Sequence, residues 1–317
     1  MLTFGRYCKR RFGERVRKVP IALAGFTCPN IDGTVAKGGC IFCKNESFSP
    51  TLEHEPKAPL KVNPNMQENP LLPMQLKQLH SQYQWQTDFH KNKFGVGKYM
   101  IYFQSFTNTY APFSTLQKLY TEALNLPNVV GMSIGTRTDS VNLELLDYLA
   151  ELQKIKGQEI WIEYGIQSVY DETLKLINRG HGTEEMEYWI SQTKQRGLKV
   201  CSPIIYGLPN ETKKMMLHSL NKVLEWGSDG IKVQPLYIIE KTILALMHKK
   251  GEYKPIPLND YIELIVESLK IIPQNVVIHR VSAGVRNDTL IAPKWCFDKN
   301  IQMRAIRDAL RDAGIEY

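Results

Sequence analysis

Hydrophobic positions along this chain follow two alternating periods. Short apolar runs, typical of β-strands, alternate with stretches in which apolar residues recur every three or four positions, as on one face of a helix. The predicted strands are Val19–Leu23, Lys98–Gln104, Val129–Ile134, Glu159–Tyr164, Leu198–Tyr206, Gly230–Pro235 and Val276–His279. The predicted helices are Met74–Lys91, Thr115–Leu126, Asn142–Ile155, Asp171–Ile177, Thr183–Arg196, Glu211–Trp226, Leu258–Ile271 and Ile301–Ala313. This alternation predicts an α/β fold with a parallel sheet and right-handed crossovers.

One segment interrupts the alternation with prolines. They are Pro50, Pro56, Pro59, Pro64, Pro70 and Pro73. Because proline lacks a backbone donor and restricts φ, we expect no regular structure from about Ser49 to Asn69. Residues 49–73 are therefore interpreted as a loop or lid.

Three cysteines follow the first predicted strand within a glycine-rich loop, residues 25–48. Cys28, Cys40 and Cys43 are spaced C-x11-C-x2-C. In parallel α/β barrels the chemistry lies at the carboxyl ends of the strands, so we expect this loop at the mouth of the fold.

The cysteine pattern by itself leaves two metal centres open. A structural zinc site has four ligands, and His54 could complete a set with the three cysteines. A [4Fe–4S] cluster is normally held by four cysteines, so three would leave one iron for another ligand. Cys8, Cys201 and Cys296 lie far apart in the chain, and a disulfide framework is not expected in a reducing compartment.

Composition and charge restrict the class of protein further. A hydrophobic fraction of 43% and a charged fraction of 23% are those of a soluble globular protein. No apolar run approaches the roughly 18–20 residues needed to span a bilayer, which predicts a cytoplasmic protein without membrane contact. The net charge is +8, and residues 1–18 carry seven basic residues against Glu14. This basic N-terminal arm would suit a polyanion such as RNA, or it is a solvated surface segment.

The motifs together resemble the radical SAM superfamily. They are GFTCPNIDG, GGCIFC, YFQSFTNTYAP, IGTRTD, EYGIQSVYDETLKLINRGH, IIYGLPNET and IHRVSAG…TLIAPKW. The spacing of eleven residues between Cys28 and Cys40 is similar to the spacing in the Elongator-protein-3-like branch of the superfamily. Within that branch, the chain is identified as a member of the YhcC/YtqA family. The resemblance implies a partial (β/α)6 TIM-like barrel over residues 19–280. An N-terminal basic extension would precede it, and a C-terminal helical extension, 281–317, would pack on it.

The resemblance also implies cofactors and their ligands. Cys28, Cys40 and Cys43 would hold a [4Fe–4S] cluster, and S-adenosylmethionine (SAM) would chelate the fourth iron. The implied cofactor-binding residues are Asn108, Thr109, Arg137, Glu163, Gln167, Arg179, Gly207 and Val233. Asn108 and Thr109 would contact the methionyl amine, Glu163 the ribose or amine, and Arg179 the carboxylate. Apart from the resemblance, His279 and Arg280 end the last predicted strand, so we expect them at the mouth, facing a phosphate or base edge of the substrate.

Structural alternatives exist for several of these residues. Asn108 and Thr109 could cap a turn, Arg179 could interact with the dipole of the helix before it, and His279 could be a core residue. Pro203 and Gln234 stand where family members often carry histidine, and Asn210, Thr138 and Ser140 also depart from the family pattern. These departures concern the substrate end of the site.

The implied reaction is reductive cleavage of SAM to a 5′-deoxyadenosyl radical, with flavodoxin or ferredoxin as electron donor. The expected substrate is a wobble uridine of tRNA, bound with help from the basic arm. Two alternatives remain: a radical SAM enzyme that acts on a small metabolite, and an RNA-binding protein with a structural iron–sulfur or zinc site.

Overall fold

Seven parallel strands form the central sheet of the protein. The structure, a computed structural model, describes residues 1–44, 58, 60–285 and 288–316. The sheet follows the order of the chain: β1 (Val16–Ile21), β2 (Lys98–Phe103), β3 (Val129–Thr136), β4 (Glu159–Tyr164), β5 (Lys199–Tyr206), β6 (Gly230–Pro235) and β8 (Val277–Arg280). Two further strands, β7 (Ile238–Ile239) and β9 (Leu290–Ala292), form an antiparallel pair beside it.

Most of the helices connect the strands and cover the outer face of the sheet. The helices are α1 (Phe4–Phe12), α2 (Leu72–Phe94), α3 (Phe113–Asn125), α4 (Leu143–Lys156), α5 (Asp171–Leu176), α6 (Met186–Gln195), α7 (Lys213–Glu225), α8 (Ile243–Lys249), α9 (Leu258–Ile271) and α10 (Lys299–Asp312). The main hydrophobic core lies between this helical layer and the sheet. The predicted α/β half-barrel with helical crossovers is confirmed. Among the described helices, none combines the length and the apolar character needed to cross a bilayer.

The sheet curls until its two edge strands approach each other. Nζ of Lys18 on β1 lies 3.3 Å from Nδ1 of His279 on β8. The N-terminal residues enter the remaining gap, where the backbone N–H of Ile278 donates to the carbonyl of Leu2 at 2.8 Å. The result is a half-barrel whose interior is separate from the outer core.

Four glutamines of α2 cover the free edge of β1 and of the residues that follow it. Gln82 binds both backbone groups of Ala22, with its oxygen accepting from the N–H at 2.9 Å and its amide donating to the carbonyl at 2.7 Å. At Ala24, Gln78 accepts from the N–H and Gln75 donates to the carbonyl. Gln86 donates to the carbonyl of Pro20. An edge strand presents unpaired polar groups that are costly to bury, and these amides satisfy them. The edge position also explains why β1 tolerates Pro20.

Helix α1 closes the end of the barrel where the strands begin. Thr3 caps its N-terminus and Gly13 its C-terminus. Its Phe4, Tyr7 and Cys8 contact a small interior cluster that contains Met100, Trp161, Cys201 and Val277. The hydroxyl of Tyr7 donates to the carboxylate of Glu159 at the start of β4, at 2.6 Å. The expected arm is thus largely a helix packed under the barrel, and its exposed charges lie opposite the cysteine loop.

Boundaries and short elements differ from the sequence prediction in a few places. Strand β1 starts at Val16 rather than Val19, so Lys18, assigned to the arm, lies inside the barrel. Helix α2 starts at Leu72 with Pro73 in its first turn, where a missing N–H costs nothing. The described part of the proline-rich loop, 60–71, contains neither helix nor strand, as expected, while 45–57 and 59 lie outside the described residues. In the C-terminal extension, α10 packs on α9.

Candidate active site

The cysteine loop follows β1 at the carboxyl ends of the strands, as predicted. The carbonyl of Cys28 accepts from the N–H of Ile31 at 2.8 Å, and that of Cys40 accepts from the N–H of Cys43 at 2.9 Å, so each begins a tight turn. Gly39 has a φ of 77°, which favours glycine, and its N–H donates to the carbonyl of Asn30 at 2.7 Å. These contacts bring Cys28 and Cys40 to the same part of the loop although eleven residues separate them.

The turn after α5 holds the cysteine loop in place. The side-chain amide of Asn178 donates to the carbonyls of Lys37 and Gly39, at 3.1 and 2.7 Å. Asn30 donates in return to the carbonyl of Asn178 at 2.5 Å. Gly180 has a φ of 81°, and a Cβ there would lie 2.2 Å from Oδ1 of Asn30. The Asn-Arg-Gly motif is therefore explained by close backbone packing around its arginine.

Two buried guanidinium groups lie beside the cysteine sulfurs. Nη1 of Arg137 is 3.7 Å from Sγ of Cys28, and Nη1 of Arg179 is 4.0 Å from Sγ of Cys40. Asp139 orients Arg137 through two hydrogen bonds, of 2.7 and 2.6 Å. Burial would raise the pKa of Asp139, but the hydrogen bonds and charge of Arg137 outweigh it and lower that pKa. The guanidinium groups place positive charge beside ligands that are anionic when they bind iron.

The spacing of the thiols distinguishes between the two kinds of metal centre that the sequence left open, a zinc site and a [4Fe–4S] cluster. Around one zinc ion, sulfurs at about 2.3 Å from the metal stand about 3.8 Å from each other. Among the described residues, Cys28, Cys40 and Cys43 are not a set whose sulfurs all lie within 4.8 Å of one another. In a cluster each thiolate binds a different iron, so a wider separation is required. The donor set fits a three-cysteine cluster better than zinc; His54 lies outside the described residues.

The three cysteines line one end of a cavity with a volume of about 730 Å³. This volume is within the range of about 300–1,000 Å³ that is usual for small-molecule sites. The described lining residues that carry a full charge are Arg137, Arg179, Lys232, Arg280 and Lys299 against one carboxylate, Glu163. The cavity is therefore basic.

A charged layer crosses the barrel at the inner end of the cavity. Glu163 on β4 accepts from Nζ of Lys18 at 2.7 Å and from the hydroxyl of Ser133 at 2.6 Å, and it pairs with Lys232 on its other oxygen. Lys232 also donates to the hydroxyl of Tyr102 at 2.9 Å. Burial alone would raise the pKa of Glu163, but the two lysines hold it well below its usual range.

This arrangement changes the interpretation of Glu163. The sequence correctly indicates that a glutamate on this strand needs a partner, yet the partners in the structure are two lysines and a serine. Its role as a ligand of the cofactor's ribose or amine stays a prediction, since both oxygens are already engaged.

Arg179 and Gln167 converge above Gly165. Nη2 of Arg179 donates to the Gly165 carbonyl at 2.5 Å, while its buried Nε has no hydrogen-bond partner among the described residues. Oε1 of Gln167 is likewise buried and unpaired within the described chain, and Gln167 lines the cavity. A Cβ on Gly165 would lie 2.7 Å from Nε2 of Gln167 and 3.1 Å from Arg179. These unsatisfied polar groups fit a polar cofactor next to the cysteines.

Asn108 and Thr109 lie behind the cavity wall rather than in it. The Asn108 amide donates to the carbonyls of Phe103 and Gly135, at 3.1 and 2.9 Å, and so joins the ends of β2 and β3. Thr109 bonds the hydroxyl of Thr136. From the same motif, Gln104, Phe106 and Thr107 line the cavity instead. Structure thus favours the turn interpretation for Asn108 and Thr109, and their cofactor role stays a prediction.

Gly207 and Val233 also face away from the cavity. Gly207 has a φ of 87°, and a Cβ there would lie 3.0 Å from the side chain of Ile256. Val233 belongs to the outer core, because side chains alternate along β6 and its neighbours Lys232 and Gln234 point inward. Pro235, at the end of β6, does line the cavity.

His279 and Arg280 occupy different layers. The His279 ring packs on Phe4 and Trp161, with centroids 4.7 and 4.6 Å away, and is not among the residues that line the cavity. Burial and the charge of Lys18 lower its pKa well below 6.5, so the ring is neutral. Only Arg280 of this pair faces the cavity.

The structure adds residues that sequence reasoning missed. Lys18, Lys232 and Tyr102 form most of the charged layer, and Thr107 lines the cavity. A usable signal existed for Lys232, because a lysine within a predicted buried strand requires a partner. Pro203 and Gln234, the departures from the family pattern, both line the cavity, whereas Asn210, Thr138 and Ser140 are absent from its described lining.

Comparisons with known proteins agree with this architecture. A model described as the Radical SAM superfamily matches residues 33–223, which includes Cys40 and Cys43, and a Radical_SAM C-terminal domain matches 228–312. YhcC of Escherichia coli is 36% identical over 99% of this chain and 93% of its own length; YtqA of Bacillus subtilis is 32% identical over 98% and 90%. A tRNA uridine(34) acetyltransferase of Methanocaldococcus infernus is 30% identical over 59% of this chain, which spans 36% of that protein.

A solved structure shares the fold. Elp3 of Methanocaldococcus infernus, with an N-terminal deletion, superposes with a TM-score of 0.63 at 19% identity, over 95% of this chain and 64% of its own. Members of the matched superfamily use a [4Fe–4S] cluster and SAM. The full-length relatives and the two matched models lead to one conclusion: the chain belongs to the radical SAM superfamily and, within it, to the YhcC/YtqA family.

Proposed function

We propose that this protein binds a [4Fe–4S] cluster through Cys28, Cys40 and Cys43 and modifies the wobble uridine of a tRNA. The observation that carries the cluster assignment is the group of three thiols and two guanidiniums at the mouth of a basic cavity. When bound, the cluster and SAM supply a 5′-deoxyadenosyl radical that abstracts hydrogen from the substrate.

The chain's own residues prepare the site for this chemistry. Arg179 and Gln167 present unsatisfied polar atoms beside Cys40, and we assign them to the amino-acid part of SAM. Arg137 is held rigid by Asp139 next to Cys28. The closed end of the barrel, where α1 packs, is filled with apolar side chains, which exclude water from that side.

The tRNA assignment rests on two supports. The partial relative is a tRNA uridine(34) acetyltransferase, and the cavity is basic and large enough for a nucleotide removed from its stack. Because α1 lies at the opposite end of the strands, we propose that the uridine enters from the mouth. Any contact with Arg10 or Arg15 would then involve another part of the tRNA. A flavodoxin or ferredoxin in the cytoplasm would donate the electron.

The test compares tRNA nucleosides from cells with and without the gene by mass spectrometry. We expect the deletion strain to lose one modified uridine and gain its precursor, and the wild-type gene to restore it. Cys40→Ala should fail to restore it, while Cys201→Ala, at the closed end, should succeed. An unchanged nucleoside profile would exclude tRNA as the substrate.

A second measurement distinguishes this function from the two alternatives, an RNA-binding protein with a structural cluster and a small-metabolite enzyme. The anaerobically reconstituted protein should form 5′-deoxyadenosine only with dithionite and SAM, and tRNA should increase the rate. No 5′-deoxyadenosine would favour an RNA-binding protein with a structural cluster. Formation that tRNA leaves unchanged would favour a small-metabolite enzyme.

A further inference from the structure

Arg280 is a charged side chain in the cavity that the fold leaves without a counter-ion. It is half-buried, it lines the cavity, and it makes no hydrogen bond or ion pair with any residue that the structure describes. Its neighbour across the sheet is Lys232, which lies opposite it in the register of β6 and β8. Two cationic side chains therefore point into the inner end of the cavity from adjacent strands.

The charges at this end do not balance. Lys18, Lys232 and Arg280 carry three positive charges, and Glu163 is the one carboxylate among the described lining residues. The neighbouring titratable groups do not compensate: the pKa of Tyr102 is raised by burial and that of Cys201 is raised to about 12 for the same reason, so both stay protonated. His279 is neutral. A surplus of positive charge in a partly buried site favours a bound anion.

Arg280 is separate from the guanidiniums that accompany the cysteines. Arg137 directly follows β3 and Arg179 lies in the turn after α5, and each is within 4.0 Å of a cysteine sulfur. Arg280 lies on the edge strand β8, opposite Lys232 of the charged layer. The amino-acid part of SAM, bound beside the cysteines, is thus assigned to Arg179, which leaves Arg280 available to a different anionic group.

We propose that Arg280, beside Lys232, forms a subsite for an anionic group of the substrate, a carboxylate or a phosphate. A guanidinium binds either group through two parallel hydrogen bonds. As a statement about the substrate, this inference rests on the proposed function. The subsite selects substrates that carry the anion on the part of the molecule that enters the barrel.

The experiment measures anion binding by the reconstituted protein with saturating SAM, so that Arg179 is occupied. Inorganic phosphate and acetate are titrated separately, and the midpoint of thermal unfolding is followed. Arg280→Gln should weaken the binding about tenfold or more. Arg280→Lys should retain part of it, since it keeps the charge but not the paired hydrogen bonds. The matched control is Arg311→Gln, an exposed arginine at the end of α10, which should bind as the wild type does.

Each outcome decides a point. Saturable stabilisation by phosphate alone indicates a phosphate of the substrate, and by acetate alone a carboxylate; either supports the subsite if Arg280→Gln loses it. Absence of saturable binding in the wild type, or equal binding in Arg280→Gln, overturns the subsite. Iron content and SAM binding are measured for every variant, and Arg280→Lys provides the comparison if Arg280→Gln does not fold. The tRNA nucleoside profile tests the proposed function separately, because anion binding can persist when that profile is unchanged.

Discussion

The two ends of the barrel both contain cysteines, in opposite surroundings. At the closed end, Cys8 and Cys201 are packed against Trp161 and Met100, and burial raises the pKa of each thiol to about 12. At the open end, Cys28 and Cys40 line a cavity with guanidinium groups 3.7 and 4.0 Å from their sulfurs. The same side chain is a neutral apolar residue at one end and a candidate iron ligand at the other.

The difference shows that sulfur position alone does not make a metal site. Cys201 has ligand atoms of Glu163 and His279 within 4.8 Å, a spacing that suits a single ion. However, Lys18 and Lys232 already neutralise Glu163 and place two positive charges there. A cation would be repelled there, so this group is an ion-pair network, and the cysteine loop is left as the candidate metal centre.

The largest expected effect comes from exchanging one cysteine at each end for alanine. Cys40→Ala should abolish iron incorporation, because two cysteines cannot hold the cluster. Cys201→Ala should keep the iron content of the wild type and lose only about 1 kcal/mol of stability. Iron and acid-labile sulfide analysis after anaerobic reconstitution checks both variants. Full iron content in Cys40→Ala would show that Cys40 is not an iron ligand and would contradict the difference between the two ends.

The charged layer between the two ends is the next largest target. Glu163→Gln leaves Lys18 and Lys232 buried without a counter-charge, which should reduce the free energy of unfolding by about 3–5 kcal/mol. The control is Lys213→Gln, which breaks an exposed ion pair with Glu263 and should change nothing measurable. Urea unfolding measures both. Equal stability of the two variants would show that the layer is solvated.

The same variant predicts a dependence on pH. The pKa of Glu163 is far below 4.5 in the folded protein and near 4.5 in the unfolded chain. The stabilisation is therefore complete above that unfolded value and is lost as the pH falls towards the folded one. The stability difference between wild type and Glu163→Gln should be constant from neutral pH to about 5 and shrink below about 4.5. A difference that grows in acid would contradict the assignment.

Gln82 of α2 binds the backbone of Ala22, in the segment that leads from β1 towards the open end. Gln82→Ala leaves the N–H and the carbonyl of Ala22 buried without partners, at about 1–3 kcal/mol each, so a loss of about 2–6 kcal/mol is expected. Gln84→Ala, on the exposed face of α2, should stay within about 0.5 kcal/mol of the wild type. Urea unfolding checks the pair, and indistinguishable midpoints would mean that water replaces the glutamine.

The smallest expected effect is at the closed end. Tyr7→Phe removes the hydrogen bond to Glu159, whose carboxylate keeps Nε1 of Trp161 at 2.6 Å. We expect a loss of about 1–2 kcal/mol without any change in iron content. Thermal unfolding and iron analysis test this together. Reduced iron content would show that the two ends are coupled.

Sequence patterns predicted the elements far better than the contacts between distant side chains. Strand β4 and helix α9 have the predicted bounds. The spacing of apolar residues within each segment is enough to define these elements. Helix α1 was interpreted as a basic arm because its charges obscured the apolar spacing of Phe4, Tyr7 and Cys8. Short elements such as β7 and α8 carry too few residues for any period to be visible.

The sequence by itself determined the parallel α/β order, the place of the cysteine loop after the first strand, and the family motifs. Only the tertiary structure decided that Lys18 meets Glu163 across 145 positions of the chain, that Asn108 turns to backbone carbonyls, and that Arg280 is left unpaired among the described residues. The physical reason is the range of the interactions. Periodicity and turns depend on neighbours in the chain, whereas the partner of a buried charge depends on which strands the curled sheet brings together.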